Sequence, residues 1–394
     1  MIKNALFIIY KLFVLRFKKN QPKKILLVAE YSKSGGSRTY FISLLKFLKK
    51  SEYDVTILKK SHEEDKEIDS LIKTLDFKTI YSYFDFWCID MNLPSNLLSK
   101  KQMIDYQLRE LNFWCKILGE NNFSSILFSV SYPEQYLYAF LLPVKLKYIL
   151  HTQPLKSADK YKKLVLKLFL GPKRQIITVS ESSKLAIERY WFNSKTNTHI
   201  KVVYNYYEPK YKYEPIENFT GIKQVLTIGS VENYKNPLFF IECAKQIITC
   251  DSKVVFIWVG DGSLLDECRH RVKDLPQIQF LGHKENVEVI YAQSTIYFQP
   301  SLQESHGIAV LGAMYHHLPC VVSDNGGLKE SVENNLSGYV VNVKNTISSV
   351  ASITSLLNDT HNRDTKGELG FQIFEKKFSR QVWEINMNKL LCKF

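Results

Sequence analysis

Very little in this chain could clip it together covalently. Its seven cysteines (Cys88, Cys115, Cys243, Cys250, Cys268, Cys320, Cys392) are scattered, odd in number and include no C-x-x-C pair. That argues against a disulfide framework or a cysteine zinc site and favours a reducing compartment, with free thiols in the core. No short repeat or long low-complexity stretch occurs, which excludes a solenoid and an extended disordered scaffold. No apolar run reaches bilayer-spanning length, because the one at residues 5–17 is broken by Lys11 and Arg16. Acid is missing from residues 1–29, which carry seven Lys/Arg and no Asp or Glu.

What the chain does have is length and basic charge. With 394 residues, 45% of them hydrophobic, it can bury a large core and is expected to divide into two domains. Its net charge of +14 calls for an acidic partner: nucleic acid, anionic lipid or a phosphorylated substrate. Besides the N-terminal cluster, residues 145–174 hold nine Lys/Arg against the single Asp159. Residues 1–23 read as a basic amphipathic segment with Leu6, Ile9, Phe13 and Phe17 on one side of a helix. This suits an interfacial membrane anchor, the plain alternative being a helix packed on the protein's own surface.

From Lys24 onward, short apolar runs alternate with helical patterns. "KILLVAE", "DVTIL", "SSILFSV", "KYILH", "IITVS" and "IKVVY" read as buried strands. The segment "YYEPKYKYEPIENFTG" has two prolines and no apolar period, and reads as a linker centred on residues 209–222. The alternation then restarts with "KQVLTIGS", "KVVFIWVG", "IQFLG", "TIYFQP" and "PCVVSD", each followed by a helical stretch. Two helical segments, near residues 347–357 and 379–391, close the chain. The expected fold class is α/β: two Rossmann-like, doubly wound parallel-sheet domains, at residues 24–208 and 223–376, with residues 377–394 a helix returning to the first.

In open parallel sheets ligands collect where strands end. In the second domain four strand ends carry glycines or polar groups: Gly229-Ser230 with Lys235, Gly260-Asp261-Gly262, Glu304-Ser305-His306-Gly307 and Gly326-Gly327. Alone, each is ordinary, since a Gly-Asp-Gly is usually a tight turn and a lone lysine a solvated charge. Their recurrence at one sheet edge, three of them opening helices, points to a phosphate-bearing ligand. His316-His317, at a helix end before Pro319, read as capping or surface residues and not as metal ligands.

The blocks "TIGSVENYKNP", "WVGDGSL", "IQFLGHKENV", "YFQPSLQESHGIAVLGAM" and "VVSDNGGLKESVENNLSGYVV" resemble, in order and spacing, the donor-binding half of glycosyltransferase family 4 (group 1), retaining enzymes of the GT-B fold. "GGSRTYFISLLKFL", "YILHTQ", "ITVSESSK" and "VVYNY" extend the resemblance more faintly to the first half. It implies two domains facing a cleft, a nucleotide sugar on the C-terminal one and the acceptor largely on the other. Glu304 is then expected to contact the transferred sugar, Lys235 the leaving phosphates, and amides near His306, Gly307 and Ile308 the diphosphate. Gly229, Ser230, Gly260, Gly262, Gly282, His283 and Gly312 complete the expected donor side. Gly35, Gly36 and His151 are expected on the acceptor side, His151 beside the reacting centre.

Two departures from the family pattern stand out. Its second glutamate, eight positions after Glu304, is Gly312 here, and its arginine beside the strand-end glycine is Ser230. No D-x-D pair is present, so no metal or other cofactor is expected beyond the co-substrate, a UDP- or GDP-sugar. The expected acceptor is lipid-linked or a surface polysaccharide (lipopolysaccharide or capsule), met at the cytoplasmic face of an anionic plasma membrane. The basic segment "KSADKYKKLVLKLFLGPKR" supports this by alternating Lys160, Lys163 and Lys167 with Leu164, Val165, Leu168 and Phe169. Nucleic acid is not expected, for want of any binding motif. An inactive, glycan-binding or scaffolding homologue and a GT-B sugar-nucleotide epimerase remain as alternatives.

Overall fold

The computed structural model describes residues 2–18, 21, 23–31, 35–61, 64–82, 100–129, 141–158, 163, 164, 166, 170, 171, 173–192, 199–211 and 221–391. The chain divides into two compact units. The first is Met1–Thr178, Lys184–Val202 and Asn388–Phe394; the second is Val179–Ser183 and Val203–Met387.

The first unit is built on a sheet of seven parallel strands, β1 (Lys24–Val28), β2 (Asp54–Lys60), β3 (Lys78–Ser82), β4 (Ser125–Phe128), β5 (Lys145–Leu150), β6 (Arg174–Thr178) and β7 (Ile200–Val202), in the order 3-2-1-4-5-6-7. Helices α1 (Ile2–Arg16), α2 (Gly36–Lys50), α3 (Lys66–Thr74), α4 (Lys100–Asn121) and, from Lys184 on, α5 (Glu181–Ile187) accompany it. The central strands are buried along almost their whole length. Sheets covered on both faces require such continuous apolar runs. Phe128 and Tyr148 stack at 4.4 Å across β4 and β5.

The second unit repeats the plan with six parallel strands: β8 (Lys223–Ile228), β9 (Val254–Val259), β10 (Ile278–Gly282), β11 (Ile296–Gln299), β12 (Cys320–Ser323) and β13 (Gly338–Val341). Their order, 10-9-8-11-12-13, reverses between β8 and β11. In a doubly wound sheet the strand ends at such a reversal form the usual ligand crevice. The helices are α6 (Pro237–Ile248), α7 (Leu265–Arg271), α8 (Glu288–Ala292), α9 (Ile308–Tyr315), α10 (Leu328–Ser331), α11 (Ile347–Asn358), α12 (Thr360–Phe378) and α13 (Arg380–Leu391). Phe240, Phe256, Trp258, Phe280 and Phe298 form an aromatic centre of its core. Asn388–Phe394 cluster with the first unit, where the Lys147 ammonium donates to the Leu390 carbonyl.

Three helical closing segments are present, not two. Helix α12 escaped the apolar pattern because its buried line runs through Lys366, Gly367, Gly370, Phe374 and Phe378. Gly367 serves close approach: a Cβ there would lie 2.1 Å from the His317 carbonyl oxygen. Strand β3 and helices α3 and α4 are likewise additions. The basic helix read around residues 160–169 lies largely outside the described residues. Of those described, Leu166 is buried and Leu164 exposed. Cys88 also lies outside them. Cys115, Cys243, Cys268 and Cys320 are free and buried, and Cys250 is free and exposed. Burial pushes the Cys115 thiol up to about 11, which leaves it unreactive near neutral pH. Among the described residues no helix is long and apolar enough to cross a membrane.

Candidate active site

The two strands that flank the reversal in the second sheet, β8 and β11, send out the loops carrying Lys235 and Glu304. After β8, the chain passes Gly229 and Ser230 and makes a 3-10 turn at Asn233–Lys235. Asn236 then adopts a left-handed conformation (φ 64°), and Pro237 starts α6. Asparagine tolerates that conformation, and proline suits a first helical turn. The lysine is thereby held at the strand end instead of being carried away along α6. Its stem lies over Gly229, where a Cβ would stand 3.6 Å from Lys235 Cε.

The loop after β11 is tied to the loop after β8. The Leu302 and Gln303 amides donate to the Tyr234 carbonyl at 2.8 and 3.2 Å, and Asn236 Nδ2 donates to the Pro300 carbonyl at 3.2 Å. Below them lies a buried polar chain. The Tyr297 hydroxyl donates to Gln299 Oε1 (2.6 Å), Gln299 Nε2 to Ser301 Oγ (2.8 Å), and Ser323 Oγ to the Ser301 carbonyl (2.5 Å). Buried networks satisfied in this way fix geometry. Here the network holds the loop from which Glu304 projects. At the top, Lys235 Nζ donates to Glu304 Oε2, with each side chain about one-seventh exposed.

Glycines let the neighbouring loops close on this pair. A Cβ on Gly260 would fall 2.0 Å from the Gly229 carbonyl oxygen, and one on Gly262 2.4 Å from that of Val231. The Gly229 carbonyl also accepts from Trp258 Nε1 at 2.9 Å. Gly326 (φ 63°) would place a Cβ 1.8 Å from the Glu304 carbonyl oxygen, and Gly327 one 2.2 Å from that of Ser305. The Gly327 amide donates to the Glu304 carbonyl at 3.0 Å. Helix α9 begins beside Glu304 at Gly307 (φ 86°), with no side chain capping it. Its first amides are free of helical partners, as at any helix start, and carry partial positive charge.

The expected residues divide into three groups. Gly229, Ser230, Lys235, Gly260, Gly262, Glu304 and Gly307 gather around the β8–β11 crevice, with Ile308 opening α9. Gly282 ends β10 and His283 follows it, linked to that group by the Gly260 amide to Gly282 carbonyl bond of 2.9 Å; the His283 amide donates to Asp261 Oδ1 at 3.0 Å. His306 and Gly312 turn away from the crevice. The His306 ring is buried, its Nδ1 accepts from the Asn205 amide at 3.2 Å, and Tyr204 and Phe378 pack on it. Burial holds its pKa near 3. Any contribution from residue 306 at the helix start therefore comes from its backbone. Gly312 lies within α9 against Tyr291 and Tyr207.

His316 and His317 sit at the end of α9 as read from sequence. His316 Nδ1 bonds the Gly312 carbonyl at 2.8 Å, and His317 lies 3.1 Å from Glu368.

The first unit assembles its own group. His151 follows β5, and the Tyr40 ring of α2 meets it edge-on at 4.3 Å. Burial lowers the His151 pKa to about 4, so the ring is neutral near pH 7. Gly35 caps α2 with φ 87°.

Sequence reasoning passed over Tyr234. Its hydroxyl lies 2.7 Å from Ser230 Oγ, at the position where the resemblance expects arginine, and its ring is substantially exposed. The only signal was its place directly before Lys235. Also passed over was Glu232, which accepts from the Ser263 amide and hydroxyl at 2.7 Å each and pins the Gly-Asp-Gly loop. These bonds lower the Glu232 pKa.

Residues 222–359 match the family model described as "Glycosyl transferases group 1". Its homologues are glycosyltransferases. One is the UDP-Gal:alpha-D-GlcNAc-diphosphoundecaprenol alpha-1,3-galactosyltransferase of Escherichia coli, 30% identical over 153 residues, which are 36% of this chain and 40% of that protein. The chain spans about half the length, or less, of the first curated relatives it matches. Among solved structures, Anabaena Alr3699/HepE in complex with UDP and glucose aligns over 94% of this chain and all of that one, with TM-score 0.71 and 17% identity. The lipopolysaccharide outer core galactosyltransferase WaaB aligns over 94% and 100%, with TM-score 0.69 and 15% identity. With two parallel-sheet α/β units and these neighbours, the fold is GT-B.

Proposed function

We propose that this chain is a retaining hexosyltransferase of glycosyltransferase family 4 that uses a nucleotide-diphosphate sugar and no metal. The observation that carries this reading is the Lys235–Glu304 pair, on the loops that leave the β8–β11 reversal, where a doubly wound sheet usually receives a ligand. When the glycosyl–phosphate bond breaks, its electron pair goes to the phosphate oxygen, and negative charge grows there. A fixed ammonium and oriented amides stabilise that charge best in a site that excludes water. Lys235 and the start of α9 offer both. On donor binding Lys235 turns from Glu304 to the phosphates, and the carboxylate becomes available to the sugar hydroxyls. The acceptor oxygen then bonds to the anomeric carbon from the face the phosphate leaves, and its proton passes to the departing oxygen.

HepE is solved with UDP, which makes a UDP-sugar the first donor to try. The relative acting on a diphosphoundecaprenol-linked sugar and the lipopolysaccharide enzyme support a lipid-linked or surface-glycan acceptor. The test measures nucleotide release from a panel of UDP- and GDP-sugars, with and without lipid-linked acceptors, beside Lys235→Ala and Glu304→Ala. One donor should be turned over by the wild type and by neither variant. A well-folded protein that turns over none of them would be a glycan-binding or scaffolding subunit instead.

A further inference from the structure

Helix α1 is apolar on nearly every side, yet among the described residues only one of its faces is covered. Ile8, Leu12 and Leu15, spaced four and three apart, join Leu111, Trp114, Cys115 and Leu118 of α4 in the core. Lys11 Nζ donates to Asn112 Oδ1 at 2.9 Å and Lys18 to the Gly119 carbonyl, so the helix is fastened along its length. On the opposite side Leu6, Phe7, Ile9, Tyr10, Phe13, Val14 and Phe17 are 47–75% exposed. They are seven of the eighteen large hydrophobic side chains exposed among the described residues. Such concentration marks an interaction surface, whereas singly scattered apolar side chains do not.

We propose that this outward face of α1 is the surface by which the protein lies on an anionic lipid bilayer. Charge decides the occupant. At about 100° per residue, Lys11 flanks the apolar face on one edge and Arg16 on the other. Residues 1–22 hold five cations and no acid, whereas Lys23 and Lys24 that follow pair with Glu52 and Asp54. A second copy meeting this face would set the same acid-free basic segment against itself. A bilayer with anionic headgroups accepts both parts: the aromatic and aliphatic face enters the acyl boundary, and the basic rim attracts the headgroup phosphates. At fifteen residues, α1 is too short to span, so it lies in the plane of the interface. Its fastening to α4 makes it a rigid footing for the first unit and not a tether.

The test uses the full chain and vesicles of phosphatidylcholine with about 30 mol% phosphatidylglycerol, with binding followed by sedimentation. Wild type should bind, and Phe13→Ser with Phe17→Ser should lower the partition coefficient at least about tenfold with an unchanged thermal transition. About 0.5 M salt should weaken wild-type binding several-fold, because screening removes the headgroup attraction and leaves the apolar part. Three outcomes would overturn the proposal: no wild-type binding, equal binding by the double variant, or a wild-type dimer that the variant dissolves while vesicles are ignored. No donor or acceptor enters the assay, so its failure and the failure of sugar transfer are separate results.

Discussion

Tyr291 occupies the space that a side chain at residue 312 would need. Its hydroxyl lies 2.7 Å from where a Cβ on Gly312 would stand, and it donates to the Ala309 carbonyl at 2.8 Å. The Tyr207 ring closes the other side at 3.0 Å. The glycine in the middle of α9 is thus required by packing, although glycine weakens a helix by about 1 kcal/mol relative to alanine.

Restoring a carboxylate there should harm the protein. Gly312→Glu would force a buried charge against two tyrosine rings, and a loss above about 3 kcal/mol is expected. Gly312→Ala should lose about 1–2 kcal/mol, because the overlap outweighs the gain in helix propensity. Tyr291→Phe should recover part of the alanine loss by removing the nearest atom. Urea unfolding of the three variants and the double mutant measures each term.

Lys235→Ala should weaken donor binding far more than it weakens the fold. A hydrogen bond to a charged group contributes about 1.5–3 kcal/mol, equivalent to roughly 10- to 150-fold in Kd. Calorimetric titration with the donor found by turnover should show that loss, and Glu304→Gln a smaller one. Equal affinities in wild type and Lys235→Ala would remove the lysine from the site.

Acid should destabilise the protein through its buried histidines. The His306 pKa is lowered from 6.5 to about 3 and that of His151 to about 4, both by desolvation. Unfolded, each binds a proton as pH falls through its ordinary value, whereas the native rings stay neutral. The stability contributed is complete above about pH 6.5 and declines toward pH 4, at about 1.4 kcal/mol per pH unit for each proton. His306→Phe should reduce that slope by one proton, and should cost about 1–3 kcal/mol at neutral pH because the Asn205 amide loses its acceptor. Urea midpoints between pH 4 and pH 8 compare the two slopes.

Gly326→Ala tests the loop packing independently of charge. Its Cβ would fall on the Glu304 carbonyl oxygen at a backbone φ of +63°. The loop after β12 must shift, and Glu304 with it. Donor-induced thermal stabilisation should fall markedly while the far-ultraviolet spectrum stays native.

Much of the second unit was legible because its strands are short, largely apolar runs stopped by glycine or proline, as in "VVFIWVG" and "IYFQPS". In the first unit, β3 (Lys78–Ser82) stayed hidden because it lies near the sheet edge and only Ser82 is buried. Helix α4 carries a helical period at Leu111, Trp114, Cys115 and Leu118 and a Ser99-x-x-Gln102 start pattern, and was passed over all the same. Helix α12 buries a lysine and two glycines, so hydrophobicity alone could not reveal its inner face.

By itself, the sequence determined the two successive α/β sheets and the residues at their strand ends, because burial on both faces demands apolar runs and helix starts demand glycine and small polar residues. Tertiary structure decided what those residues do to one another. It brought Lys235 onto Glu304 across the β8–β11 reversal, turned the His306 ring inward, filled the space at Gly312 with tyrosine, and sorted the apolar residues of α1 into a docked face and an open one. Such pairings join residues tens of positions apart, and packing, which chain order does not encode locally, selects them.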